Sequence, residues 1–327
     1  MDNHPVSCFH LGNYFQVDGK QLQQQYKDHI SNYKTWDQRE HASDWMVFPD
    51  NMGMRLSIDE TSLSNGELYT IVTNKSAKGR KGSIIAMIKG TQTEQITDVL
   101  HKIPERLRNR VEEVTMDMAA NMISAVRRCF RNAHQVIDRF HVQKLAHEAV
   151  QEIRIKYRWQ VLDQENSATN LAKANNQTYC AEILSNGDTL KQLLARSRYL
   201  LFKHGSKWTD TQKHRAELLF ARFPEIKDAY NLSVRMGDIF QKATSKEAAF
   251  KRLALWYNEV ESSGLESFRT VARSIQTHYL NILNFFNNRS TNASAESFNA
   301  KVKSFRAASR GVRDINFFLF RLANIYA

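Results

Sequence analysis

The stretch from Gly53 to Asp138 constrains the fold of this chain more than any other. Met54, Leu56 and Ile58 alternate with Arg55, Ser57 and Asp59, a two-residue period that an extended strand sorts onto opposite faces. A turn at Asn65-Gly66 separates this strand, with Asp59 at its end, from a second near Leu68-Tyr69-Thr70-Ile71-Val72. The basic tip Lys75 to Gly82 leads to a third near Ile84-Ile85-Ala86-Met87-Ile88. Short links of this kind join antiparallel neighbours. After Gly90 the pattern becomes helix (Thr93 to Lys102), strand (Val111 to Asp117), helix (Ala119 to Phe130) and strand (His134 to Asp138). That alternation builds parallel pairing through crossover helices.

A meander followed by two crossover units predicts an α/β fold: a mixed five-stranded sheet flanked by helices, in the ribonuclease-H-like arrangement. Upstream, Tyr26, Ile30, Tyr33 and Trp36 recur at helical spacing and predict an amphipathic helix over residues 20 to 46. Beyond Asp138 strand signals fade. Thr209-x-x-Gln212, Thr244-x-x-Glu247 and Ser263-x-x-Glu266 have capping-box spacing, and Pro224 sits where a helix would start. The predicted organisation is an N-terminal helical segment (1–50), the first part of the core (51–160), an all-α insertion (161–286) and C-terminal helices that return to the core (287–327).

Composition narrows the partners. Lys and Arg number 46 against 34 Asp and Glu, for a formal charge of +12 and a pI near 9.6, so polyanions are attracted over long range. Nucleic acid is the leading partner, and a merely basic protein is the alternative. Cys8, Cys129 and Cys180 are odd in number and form no C-x-x-C pair, which argues against a disulfide framework or a cysteine zinc site. No run approaches the roughly 18 apolar residues of a membrane span, so the expected location is the cytoplasm. No nucleophile elbow and no G-x-x-x-x-G-K-[ST] phosphate loop occur.

Asp59 and Asp117 each end a predicted strand, and in a twisted sheet the two ends can lie side by side. Carboxylates converging there repel unless a divalent cation lies between them. A third carboxylate from a packed helix would complete an oxygen site for two Mg²⁺ or Mn²⁺ ions, suited to in-line phosphoryl transfer. Each Asp also has a plainer reading. Asp117 could simply cap the following helix, and Glu60 offers a second carboxylate beside Asp59. The candidate third acid is Glu296, in Asn292-Ala293-Ser294-Ala295-Glu296-Ser297-Phe298-Asn299. Asn299, Lys303, Arg306 and Arg310 follow it at steps of three or four, so one helix face presents an acid, an amide and then bases that could meet DNA. An ordinary solvated face has the same pattern.

Four ordered stretches resemble the DDE transposases of bacterial insertion sequences, specifically the ISL-three group. They are Ile58-Asp59-Glu60-Thr61-Ser62, Val114-Thr115-Met116-Asp117-Met118, Val136-Ile137-Asp138-Arg139-Phe140-His141-Val142, and the Glu296 motif with Lys301 and Lys303 downstream. The resemblance runs from about residue 50 to the C-terminus. It implies a ribonuclease-H-like domain interrupted by a helical insertion, with Asp59, Asp117 and Glu296 as catalytic, metal-binding acids. It also implies cleavage at transposon ends and attack of the freed 3′-hydroxyl on target DNA. A homo-oligomer assembled on DNA in the bacterial nucleoid belongs to the same expectation.

Asp138 and His141 form a D-x-x-H pair that in similar transposases supports the active site or nearby DNA. The alternative is a helix cap and a histidine bound to a neighbour. Many members of the group begin with a zinc-binding and helix-turn-helix region, whereas here about 50 residues precede Asp59 with no such cysteine pattern. End recognition is therefore expected from a separate polypeptide or an upstream part. The Lys75–Lys81 tip and Arg127-Arg128-x-x-Arg131 are further phosphate candidates, and Trp208 and Trp256 are either core residues or base-stacking platforms. The rival functions are a ribonuclease-H-like nuclease without strand transfer and a non-catalytic, transposase-derived DNA-binding protein.

Overall fold

A computed structural model describes residues 1–63, 66–309 and 311–327; Asn65 of the expected turn and the candidate base Arg310 lie outside the described residues. The chain begins with helices α1 (Cys8–Phe15) and α2 (Gly19–Gln25) and strand β1 (Trp45–Val47). Strands β2 (Arg55–Ser62), β3 (Leu68–Asn74) and β4 (Ile84–Lys89) follow. Then come α3 (Thr93–Leu100), α4 (Glu105–Arg108), β5 (Glu113–Met116), α5 (Ala120–Cys129) and β6 (His134–Ile137). The rest is helical: α6 (Arg139–Ala174), α7 (Leu190–Arg196), α8 (Asp210–Arg222), α9 (Pro224–Lys242), α10 (Lys246–Ser263), α11 (Glu266–Leu283), α12 (Phe285–Asn288), α13 (Ala293–Ala308) and α14 (Ile315–Tyr326).

The strands form one mixed sheet in the order β1-β4-β3-β2-β5-β6. The pairs β1/β4, β4/β3 and β3/β2 are antiparallel, while β2/β5 and β5/β6 are parallel. The sheet thus has six strands where the sequence predicts five. The extra one is Trp45-Met46-Val47, whose first two residues fall at the end of the helix expected over residues 20 to 46. That helix instead stops at Gln25, passes through a single π turn at Tyr26–Ile30, and gives way to extended backbone at Ser31. Pairing supplies the reason. Without β1 the Ile84–Lys89 strand would leave a row of backbone groups open, and Trp45, Met46 and Val47 close it opposite Ile88, Met87 and Ala86.

A second difference concerns Asp59. It lies within β2 and not at its end, because β3 extends the hairpin as far as Ser62 opposite Leu68. Pairing with β5, however, stops at Ser57 opposite Thr115.

Strand alternation sorts the two faces. Asp59 is opposite Ile71 and Thr61 opposite Tyr69. Tyr69 and Ile71 join Met46, Leu63 and Met87 in a core closed by Phe298, Val302 and Phe305 of α13 and by Phe318, Leu319 and Leu322 of α14. Leu56 and Ile58 therefore belong to the other face, where the crossover helices α3 and α5 pack on β4, β5 and β6. The far side of α14 is apolar too. Phe317 and Phe320 meet Tyr26 and Tyr33, and the buried Arg321 Nη2 donates to the carbonyls of Met1, His4 and Val6.

The chain divides into two compact units: Met1–Asp138 with Asn288–Ala327, and Arg139–Asn287. The sequence boundary near residue 160 falls inside α6, a continuous helix of 36 residues. Within the helical unit α6 packs on α7, α9 and α11, while α9 also carries α8 and α10. Thr209 and Gln212 make the predicted capping box, Thr189 and Gln192 make one that was not expected, and Pro224 opens α9. The other two boxes differ. Ser245, not Thr244, caps α10 by accepting the Ala248 N–H at 3.2 Å. Ser263 ends α10, because Gly264 closes that helix at φ +68°, which a Cβ would disfavour. Trp256 is core: it is 2% exposed and its indole N–H donates to the Leu232 carbonyl at 3.0 Å. Trp208 stacks on Tyr230 and donates to Leu200. No helix among the described residues is long and apolar enough to cross a membrane.

Candidate active site

Register brings Asp59 and Asp117 together. Arg55, Leu56 and Ser57 of β2 pair in parallel with Glu113, Val114 and Thr115 of β5, each 58 positions further on. Asp117 is likewise 58 residues beyond Asp59, so the two acids continue that register past its last bonded pair. Adjacent strands lie roughly 4.8 Å apart, and residues of matching parity share a face. Burial, followed by repulsion from Asp117 and Asp59, pushes the carboxyl of Glu60 up from its ordinary value. Asp117 also serves a local end, since its Oδ1 accepts the Ala119 N–H at 2.9 Å at the entry to α5.

Helix α13 crosses this face on two polar anchors. At its start, Asn292 donates its main-chain N–H to Asp138 Oδ2 at 2.7 Å and its amide to the Ile58 carbonyl at 3.5 Å. Two turns on, Asn299 Nδ2 donates to Asp59 Oδ2 at 2.8 Å and to the Glu60 carbonyl at 3.3 Å. Glu296 follows Asn292 by four residues and precedes Asn299 by three, so all three lie on one helix stripe. The side chain of Glu296 is exposed and makes no ion pair among the described residues. Asn299, read from the sequence as a DNA contact, is turned inward and is 7% exposed. Lys301 reaches the Gly79 carbonyl at 2.8 Å, tying α13 to the basic tip; Lys303 is exposed and Arg306 half-buried.

Asp138 closes β6 at 2% exposure, placed by burial to receive the start of α13. His141 belongs to the helical unit, in the first turn of α6, with its ring edge-on to Phe140.

A buried ion pair on β5 was not foreseen from the sequence. Lys75, placed there on an exposed tip, points inward and bonds Glu113 Oε1 at 3.2 Å and Thr115 Oγ1 at 2.8 Å. Asn288 donates to the other Glu113 oxygen at 3.2 Å. Burial pushes the Glu113 carboxyl up, but hydrogen bonds from Ser290 and Asn288 and the nearby Lys75 ammonium outweigh it and hold the carboxyl below its ordinary value. Burial also lowers Lys75. The one available signal was a Glu at the head of a four-residue strand that is buried throughout, which demands a partner. Of the Arg127-Arg128-x-x-Arg131 cluster, Arg128 pairs with Glu94.

Among the described residues, no three His, Cys, Asp or Glu side chains are gathered closely enough to hold a metal ion as they stand. The donor chemistry nevertheless fits a hard cation. Asp59 and Asp117 lie near enough to Glu60 to repel its carboxylate. Four buried oxygens in the same region, Ser57 Oγ, Thr61 Oγ1, Asn292 Oδ1 and Asn299 Oδ1, have no hydrogen-bond partner among the described residues. Oxygen donors of this kind are what Mg²⁺ and Mn²⁺ take.

A mixed α/β sheet thus sets two register-matched aspartates under a glutamate-bearing helix. The family described as transposase, of the ISL3 DDE type, matches residues 56–322, and the chain belongs to that family. It is also similar to the transposase for insertion sequence element IS1001 of Bordetella parapertussis, with 20% identity over 271 residues. That match covers 82% of this chain and 59% of the relative, so the chain spans less than two thirds of the relative's length.

Proposed function

We propose that this chain is the catalytic part of a transposase that cleaves DNA at transposon ends and joins the freed 3′-hydroxyl to target DNA. The observation that carries this reading is the shared register of Asp59 and Asp117 beneath a helix bearing Glu296 between two anchored asparagines. The strand order, three antiparallel strands followed by two parallel ones with crossover helices, supports a ribonuclease-H-like core, and the helical unit reads as its insertion.

Asp59, Asp117 and Glu296 would hold two divalent cations, Mg²⁺ or Mn²⁺. When bound, such ions supply activation of the attacking oxygen and stabilisation of the leaving one. The protein positions the acids. Asp138 seats the start of α13, Asn299 holds Asp59, and the exposed Lys303 with Arg306 provides positive charge along the helix that leads away from Glu296. In this reading DNA meets α13 from its solvent side, the protein works as an oligomer on DNA, and end recognition comes from a separate polypeptide or an upstream part.

The test is a labelled transposon-end duplex incubated with Mg²⁺ or Mn²⁺ and a target plasmid. Cleavage with joining is the expected result, and cleavage without joining would identify a nuclease instead. Asp59→Ala, Asp117→Ala and Glu296→Ala should each abolish both products while DNA binding survives. Activity that persists in all three variants rejects the assignment.

A further inference from the structure

The orientation of the Asn299 amide is decided by its neighbours. Nδ2 faces Asp59 Oδ2 and the Glu60 carbonyl. Both are acceptors, so a flipped amide would set oxygen against oxygen. The carboxamide oxygen is thereby turned away from them and is buried without a hydrogen-bond partner among the described residues.

A buried acceptor left unpaired is costly, and each one calls for an explanation. This one has company. Asn292 Oδ1 is in the same condition on the same helix stripe, and Ser57 Oγ and Thr61 Oγ1 flank Asp59 on its own strand face. A surface that had evolved only to pack would have apolar atoms at these positions. Orphan oxygens concentrated beside a carboxylate are instead the mark of a place that receives something electropositive. The hydrogen bonds to Asp59 point the same way. Its Oδ1 accepts the Glu60 N–H at 2.9 Å and its Oδ2 the Asn299 amide, so the carboxylate is oriented from both sides.

We propose that Asn299 is a positioning residue of the metal site: its N–H fixes the orientation of Asp59, and its buried oxygen is an additional hard donor for the divalent cation and its hydration shell. This goes beyond the three acids and reassigns a residue that the sequence pattern placed on DNA. It rests on the reading of Asp59 as a metal ligand.

The test uses the full chain and Mn²⁺ alone, followed by the electron paramagnetic resonance signal of free Mn²⁺ and by the Mn²⁺-dependent rise in Tm. Asn299→Leu keeps the approximate volume and removes both polar functions. Partners that orient a metal ligand typically contribute about 10–100-fold to affinity, and a loss of that size is expected. In EDTA the Tm should be no lower than that of the parent, because the orphan oxygen goes with the side chain. A residue that only packs gives the reverse, a lower Tm in EDTA with unchanged Mn²⁺ affinity, and that result overturns the proposal. Should Asn299→Leu fail to fold, Asn299→Ser is read by the same two measurements. Asp59→Asn separates the premise from the inference. Mn²⁺ binding that survives Asp59→Asn removes the premise and the proposal together. Binding lost in Asp59→Asn but intact in the Asn299 variants overturns the proposal alone.

Discussion

The carboxylate of Asp138 accepts the main-chain N–H of Asn292 across 154 residues of sequence, so the end of β6 seats the start of the helix that carries Glu296. A buried hydrogen bond to a charged group contributes about 1.5–3 kcal/mol. Asp138→Ala should lower stability to chemical denaturation by that amount and reduce cleavage further, because α13 loses its seat. Asp138→Asn retains an acceptor oxygen and should lose less in both measurements. Equal losses in the two variants would show that hydrogen-bond acceptance is not what Asp138 contributes.

The Lys75–Glu113 pair makes a second prediction. Removing one partner of a buried pair leaves the other uncompensated, at a cost of about 3–5 kcal/mol. Urea titration of Lys75→Ala should show a loss in that range.

Glu113 also fixes a pH dependence. Its folded value lies below the ordinary one, so the folded state binds its proton less readily than the unfolded chain. The stabilisation is then present above the unfolded carboxylate pKa, about 4.3, and is lost as pH falls through the lower folded value. Thermal melts at falling pH should show this acid limb, and Glu113→Gln should flatten it. An unchanged limb in that variant would assign the acid sensitivity to other carboxylates.

Phe298 is fully buried in the core that α13 and α14 share with the sheet and meets Tyr326 edge-on. Truncation of a buried phenylalanine costs about 3–5 kcal/mol. Phe298→Ala should destabilise the chain by that amount, and hydrogen exchange should show α13 opening well before β2 and β3. Uniform loss of protection across the sheet would mean that α13 does not open as a local unit.

Lys303 and Arg306 bear on DNA affinity. If each meets a phosphate, Lys303→Ala and Arg306→Ala should weaken binding to all sequences alike and each lower the slope of log affinity against log salt by about one. A slope unchanged in both variants would place the DNA path elsewhere.

Much of the sheet is legible in the amino-acid order, because alternation and helical spacing are local. The β2–β3–β4 meander and the two crossover units could be read from apolar periodicity, and so could Asp117 at the exit of β5. The capping box at Thr209 and the proline that opens α9 are equally local signals. What periodicity cannot show is which distant groups complete a partner's hydrogen bonds. Trp45-Met46-Val47 is too short to show an alternation of its own, and only the open edge of β4 makes it a strand. Lys75 looks like a surface lysine until Glu113 supplies the charge that draws it inward. Asn299 has the spacing of a DNA contact, yet Asp59, 240 residues away, turns it into the interior. Local order was enough for most of the elements, for the family and for the 58-residue interval between two acids. That this interval is a strand register, and that buried carboxylates and asparagines hold α13 over it, emerges only on folding, because those are pairings between groups the chain keeps far apart.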